Sequence, residues 1–297
     1  MRRPIGAHAV SSSVAPTTSA QPWTTIGAGP HDVRLVVADM DGTLLTPDGD
    51  VPEGFAELQH AMREHGVAFV PASGRQLATL RETFGGEGGV RTYIAENGTL
   101  VVHEDEVIAT TTVDAPTVAD VIALVRRLVG RGIDLGLVVC GVETAYVERS
   151  DEAFLAEARK YYRRLEIVED LETVEGGVLK LAIHDFVDAE ATAAAEFGPL
   201  GEDHQVVVSG KHWIDVMHPE ADKGRGIRAL QAALGIEPAQ TAVFGDYLND
   251  LAMYSAADWS FAMANAHPDI TAAARFVAPS NAERGVVQVL GRLLGAR

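Results

Sequence analysis

The chain has 297 residues, 47% of them hydrophobic, and its single cysteine, Cys140, excludes an intramolecular disulfide and a cysteine-built zinc site. Twenty-four Lys and Arg stand against 42 Asp and Glu, a formal net charge of −18 that repels phosphate backbones and anionic headgroups, so no nucleic acid and no membrane is expected as a partner. No run reaches the ~18 consecutive apolar residues of a spanning helix, and a reducing, cytoplasmic setting is expected.

Residues 1–31 are rich in Ser, Thr, Ala, Pro and Gly and read as a flexible tail. Its Arg2 and Arg3 resemble a twin-arginine export signal, but the ~7–15-residue apolar centre of such a signal is missing. From Leu35 the pattern becomes strand ("RLVVADM"), helix ("PEGFAELQHAMREHG") and strand ("VAFVPASGR"), the alternation of a parallel sheet. The C-terminal part repeats it with the helix "KGRGIRALQAALGI", the strands "TAVFGDY" and "WSFAMAN" and the closing helix "RGVVQVLGRLL". Between them the texture changes to a hairpin ("TLVVHEDEVIATTTV"), helices and further strands, an α+β module of its own. Residues 100–212 hold 22 acids and 10 bases, so most of the negative charge sits in this insert.

Four short stretches carry chemistry. Asp39 and Asp41 follow an apolar strand and precede Gly42 and Thr43. At strand spacing the two carboxylates project the same way, which calls for a compensating cation, and a hard divalent ion such as Mg²⁺ takes oxygen ligands. One carboxylate can then attack phosphorus while the other moves a proton. Alone, the pair also fits a solvated turn. Ser73, Gly74 and Arg75 in "PASGR" offer a hydroxyl, a close backbone and a guanidinium suited to phosphate oxygens, or else an ordinary Ser-Gly turn. Lys223 opens a helix, where an ammonium is disfavoured by the macrodipole unless an anion is near. In "VFGDYLNDLAMY", Asp246, Asn249 and Asp250 converge if a helical turn follows the strand, so that Asp246 can ligate a metal and the others orient it.

In that order, "DMDGTLL", "SGR", "DKG" and "GDYLND" resemble the four signature motifs of the haloacid dehalogenase superfamily of aspartate-nucleophile phosphohydrolases, from about Val33 to the C-terminus. The insert's position and texture resemble those of the Cof-type branch, subclass IIB. The resemblance implies an α/β fold with a Rossmann-like parallel-sheet core from residues 32–100 and 213–297 and an inserted α+β cap domain at 101–212. It implies Asp39 as nucleophile, Asp41 as general acid/base that lends its backbone carbonyl to Mg²⁺, and Asp246 as a further metal ligand with Asp250 behind it. Gly42, Ser73, Gly74, Arg75, Lys223, Asn249 and Asn97 of "AENGT" are implied around the phosphate and substrate. The expected activity is a Mg²⁺-dependent phosphatase of a small phosphorylated metabolite, acting through an aspartyl phosphate.

A sugar phosphomutase of the same superfamily is the nearest alternative, and a non-enzymatic phospho-acceptor a more distant one. Substrate and oligomeric state are not legible. His212 and His218 read as junction residues, Tyr161 and Tyr162 as packing residues, and Cys140 as a small buried hydrophobe.

Overall fold

In the computed structural model the described residues are 20–86, 88–208 and 211–295, so residues 1–19 of the expected tail lie outside them. Six parallel strands form one sheet in the order Gln21–Pro22, Phe276–Ala278, Trp259–Met263, Thr241–Gly245, Leu35–Ala38, Ala68–Pro71. Its central strands are apolar throughout because helices cover both faces. Alternation sends Leu35, Val37 and Val243 to the side where Ile227 and Leu230 of the helix Lys223–Leu234 pack. Val36, Ala38 and Phe244 go to the other side, against Phe55, Leu80 and Leu290 from the helices Phe55–Glu64, Leu77–Phe84 and Gly285–Leu294.

A three-stranded antiparallel sheet, Thr92–Ala95, Leu100–His103 and Glu106–Thr110, joins this layer through a bridge between Ala72 and Ile94. The second six-stranded sheet runs Gln205–Val208, Trp213–Met217, Val178–Asp185, Leu135–Gly141, Ala145–Val147, Leu165–Ile167. The helix Ala115–Gly130, N-capped by Asp114, lays Val121, Val125 and Leu128 on one face of it. The fold is therefore a parallel α/β core with an inserted α+β unit. Among the described residues, no helix is long and apolar enough to cross a membrane.

Two expected boundaries shift. The division after residue 100 falls inside a strand: Val101 packs with Ile94 and Ile227, so the hairpin is built onto the first unit. The division after residue 212 assigns Trp213–Met217 to the core, yet that strand lies between two strands of the second sheet. A strand pattern reports burial and period but not which sheet supplies the neighbour.

The tail reading fails for its last third. Gln21–Pro22 pairs with Phe276 and Val277 at the sheet edge, a position that tolerates a proline. Ile26 is buried among residues of the closing helix, and Arg292 Nε donates to the Ile26 carbonyl at 2.5 Å. Ile26→Ala should therefore lower the unfolding free energy by about 2–5 kcal/mol, the usual range for a buried isoleucine. A urea titration reads this; a change within about 0.5 kcal/mol, typical of a surface position, would mark the segment as loosely attached.

Candidate active site

The strands Leu35–Ala38 and Thr241–Gly245 are neighbours in register, Ala38 beside Phe244, so the residues that follow them emerge together at the carboxyl end of the sheet. The amide of Asp39 still donates to Phe244 O at 3.0 Å, which fixes where its side chain begins. Residues 40–44 then close a wide turn, Leu44 N donating to Asp39 O at 3.1 Å and Leu45 N to Met40 O at 2.9 Å. Gly42 makes that turn possible: its φ is +82°, and a Cβ there would collide with the Asp246 carboxylate. Thr43 Oγ1 donates to Asp246 Oδ1 at 2.7 Å, tying the two strand ends together.

Lys223, fully buried at the start of its helix, donates to Asp39 Oδ1 at 2.5 Å and to Asp250 Oδ1 at 2.7 Å. Burial opposes the ammonium's charge, but Asp250 and Asp39 outweigh it and hold its pKa above the ordinary value. Asp250 commits its second oxygen to the amides of Asp246, at 3.0 Å, and Tyr247, at 3.2 Å. It thus shapes the loop that presents Asp246 while holding the lysine in place.

One ammonium is not enough for three carboxylates. Oxygens of Asp39, Asp246 and Asp250 lie within 4.8 Å of one another. At an effective dielectric of ~20 two such charges repel by roughly 3 kcal/mol. Burial, against Lys223, pushes the Asp39 carboxyl up to about 8, with Asp250 and Asp246 adding to it. Burial likewise pushes Asp246 up to about 6 in spite of Thr43. A cluster of hard oxygens short of positive charge fits a divalent ion such as Mg²⁺. Both Asp250 oxygens are engaged, whereas Asp39 and Asp246 each have one so engaged.

Asp41 departs from expectation. Its carboxylate is 65% exposed and outside the cluster, and it accepts two bonds from Arg75, at 2.5 and 3.1 Å. The strand ends at Ala38, so the two-residue period that would align Asp41 with Asp39 does not extend to it.

Ser73 is buried at the end of Ala68–Pro71, its amide donating to Ile94 O at 2.9 Å and its Oγ accepting from Arg75 N at 3.2 Å. Gly74 lies against the Asn97 amide, where a Cβ would come within 3.0 Å of Oδ1. Asn249 Nδ2 approaches the same Asn97 Oδ1 at 3.4 Å. Asn265, not singled out from the sequence, donates to Gly42 O at 2.8 Å; its position just past Trp259–Met263 repeats the strand-end logic of the others. His212 Nδ1 bonds the Asp185 carbonyl on the neighbouring strand, His218 Nδ1 accepts from the nearby Glu220 N, Tyr162 and Cys140 are buried, and Tyr161 is 46% exposed with its ring edge on Trp213.

The family model for haloacid dehalogenase-like hydrolases matches residues 36–290, spanning all four strand-end segments. The chain belongs to this family. It is 32% identical over 267 residues to the 5-amino-6-(5-phospho-D-ribitylamino)uracil phosphatase YbjI of Escherichia coli K12, covering 88% of this chain and 96% of that one. It is 27% identical over 251 residues to an HMP-PP phosphatase of Cronobacter sakazakii, covering 80% and 87%. The fold is similar to that of TM0651 from Thermotoga maritima (TM-score 0.74, 24% identity, 88% and 97% covered). It is also similar to that of the subclass IIB sugar phosphatase BT4131 (TM-score 0.71, 20% identity, 89% and 100% covered). The enzyme is a phosphoric monoester hydrolase of this superfamily.

The charge imbalance has a measurable consequence without any substrate. Asp39 and Asp246 bind protons more tightly folded than unfolded, so between about pH 4 and 8 the folded state carries the extra protons and stability falls as pH rises. Thermal midpoints in the absence of divalent ions should fall across this window. Mg²⁺ should raise them, more at pH 8 than at pH 5, because it competes with protons for the same oxygens. A midpoint indifferent to Mg²⁺ at pH 8 would rule out the cluster as its site.

Proposed function

We propose that this enzyme is a Mg²⁺-dependent phosphatase of a small phosphorylated metabolite, a sugar phosphate or similar, working through an aspartyl phosphate on Asp39 in the cytoplasm. The observation that carries the reading is Lys223 held between Asp39 and Asp250 beside Asp246, a cationic group and an excess of carboxylate at one strand end.

Asp39, Asp246 and the backbone carbonyl of Asp41 are the proposed ligands, and the bound ion supplies positive charge that offsets the phosphoryl oxygens. Asp39 forms a bond to phosphorus as the bond to the leaving oxygen breaks. Asp41, turned from Arg75 toward the substrate, gives that oxygen a proton. The ionised Asp41 then takes a proton from water, whose oxygen displaces Asp39 and releases inorganic phosphate. Lys223, Ser73 and the amides around Gly42 and Gly74 hold the phosphoryl oxygens, while Arg75, Asn97 and Asn249 face the remainder of the substrate. Asp250 positions Lys223.

The residues from about 112 to 217 form the proposed cap, revised from the expected 101–212 to keep each sheet whole. Its position supports a compact substrate, because residues 161–164 rest on the helix that follows Arg75. The names of YbjI, a ribitylamino-uracil phosphate phosphatase, and BT4131, a sugar phosphatase, support a polyol or sugar phosphate.

Screening phosphorylated metabolites for inorganic phosphate release with Mg²⁺ tests the activity, and transfer of phosphate to a second sugar position would mark a mutase instead. Asp39→Asn should lower kcat by roughly a thousandfold or more. Asp41→Asn should lower it by roughly a hundred- to ten-thousandfold, the range of a lost general acid and base. Chelation should abolish turnover and Mg²⁺ restore it. Near-normal turnover by Asp39→Asn, or full activity in excess chelator, would overturn the reading.

A further inference from the structure

The inserted unit meets the first through buried polar contacts that converge on residues 73–76. Lys180, in the strand Val178–Asp185 of the second sheet, is 4% exposed; Glu96, in the loop that carries Asn97, is 1% exposed. The Lys180 ammonium lies 2.8 Å from Glu96 Oε2 and 3.9 Å from Asp215 Oδ2, and it donates to the carbonyl of Gly74 at 3.2 Å. Burial alone would discharge this lysine, but Asp215 and Glu96 outweigh it and keep it charged. Among the described residues, Lys180 is the cation that the Glu96 carboxylate meets.

Such a pair is poor at adding net stability, because desolvation offsets most of the attraction, yet breaking it strands a charge. What it does well is fix one arrangement. Glu96 and Asn97 have φ of +49° and +57°, a region that non-glycine residues keep only where the surroundings over-determine them. From there Glu96 N donates to Arg75 O at 3.1 Å and Asn97 N to Ser73 O at 2.9 Å. The loop therefore braces residues 73–75 on one side while Lys180 takes the Gly74 carbonyl.

A second tether lies one residue further on. Gln76 is 4% exposed, and its amide forms a reciprocal pair with the backbone of Arg164: Nε2 donates to Arg164 O and Oε1 accepts from Arg164 N, each at 3.0 Å. Arg164 directly precedes the edge strand Leu165–Ile167 of the second sheet, so Gln76 pins that edge as a neighbouring peptide would.

We propose that Lys180, Glu96 and Gln76 are positioning residues that register the inserted unit on the 73–75 loop, and so set where the leaving group of the substrate meets the second sheet. The inference rests on the phosphatase reading for its kinetic consequence alone. If it is correct, losing the tether blurs recognition of the leaving group while the phosphoryl chemistry at Asp39 continues.

The test is a double-mutant cycle of Lys180→Met and Glu96→Gln, with Gln76→Ala as a separate arm. Thermal midpoints are read together with kcat and KM for the best metabolite phosphate and for p-nitrophenyl phosphate, whose leaving group asks little of the inserted unit. Each variant should raise KM for the metabolite by roughly ten- to a hundredfold, the scale of an ~1 Å misplacement remote from the chemistry. Turnover of p-nitrophenyl phosphate should stay within about threefold, and the double variant should be no worse than the worse single one, as coupled residues require. Folded variants with unchanged metabolite KM, or effects that simply add, would overturn the proposal. If Lys180→Met fails to fold because Glu96 is left bare, the double variant decides: normal KM there overturns the tether, and raised KM supports it. Should the parent enzyme hydrolyse no phosphate ester, the function falls, and the thermal cycle still judges the tether: coupled midpoints support it and additive ones overturn it.

Discussion

Much of the molecule is arranged around a lysine buried between two carboxylates. An ammonium with no exposed surface is costly unless it is paired, and Lys223 is paired twice, at 2.5 and 2.7 Å. The pairing in turn requires that the strand ends before Asp39 and Asp246 lie side by side, that the helix of Lys223 start beneath them, and that the loop at Asp250 fold back. Segments separated by 184 and 27 residues are thus fixed by one charge balance. The balance is deliberately incomplete in chemical terms. Three carboxylates and one ammonium leave an excess of negative charge, which protons on Asp39 and Asp246 relieve at lower pH and for which a divalent cation would compete.

Asp39, Lys223 and Asp246 were legible because each follows or opens an element whose period is plain in the sequence, and the end of a buried parallel strand is where such sheets bind ligands. Asp41 was legible by type but not by direction: the chain leaves strand geometry at Met40, and Gly42 turns it. Gln76, Lys180 and Glu96 carry no local signal at all. A glutamine before a helix, or a lysine in an apolar strand, means something only when its partner, 88 or so residues away, is known. The two-residue strand Gln21–Pro22 is likewise too short to show a period, and a Ser- and Pro-rich context disguises it.

The overall charge of −18 opposes an anionic substrate only until distance is considered. Salt screens exposed charges beyond roughly 8 Å, so the remote acids of the inserted unit matter little at the strand ends. Many of those acids are also locally paired, as where Arg126 meets Glu148, Asp170 and Glu172. Buried charges are screened far less. Lys223, with Arg75 at the rim, therefore sets the local field out of proportion to its single charge.

The same division of labour bears on selectivity. Phosphoryl groups are alike in every candidate substrate, so residues that hold them confer no choice among metabolites. On the proposed reading choice comes from surfaces touching the leaving group, and the sheet of the inserted unit turns Lys180 and Met217 toward the first unit, Lys180 onto Glu96 and the Gly74 carbonyl and Met217 onto Asn97. A face that is largely apolar but carries a fixed buried charge discriminates well only if its position is reproducible to a fraction of an ångström, since hydrogen-bond geometry degrades quickly with displacement. In the proposed tether two buried contacts beside Ser73, Lys180 to the Gly74 carbonyl at 3.2 Å and Gln76 to the Arg164 carbonyl at 3.0 Å, supply that reproducibility.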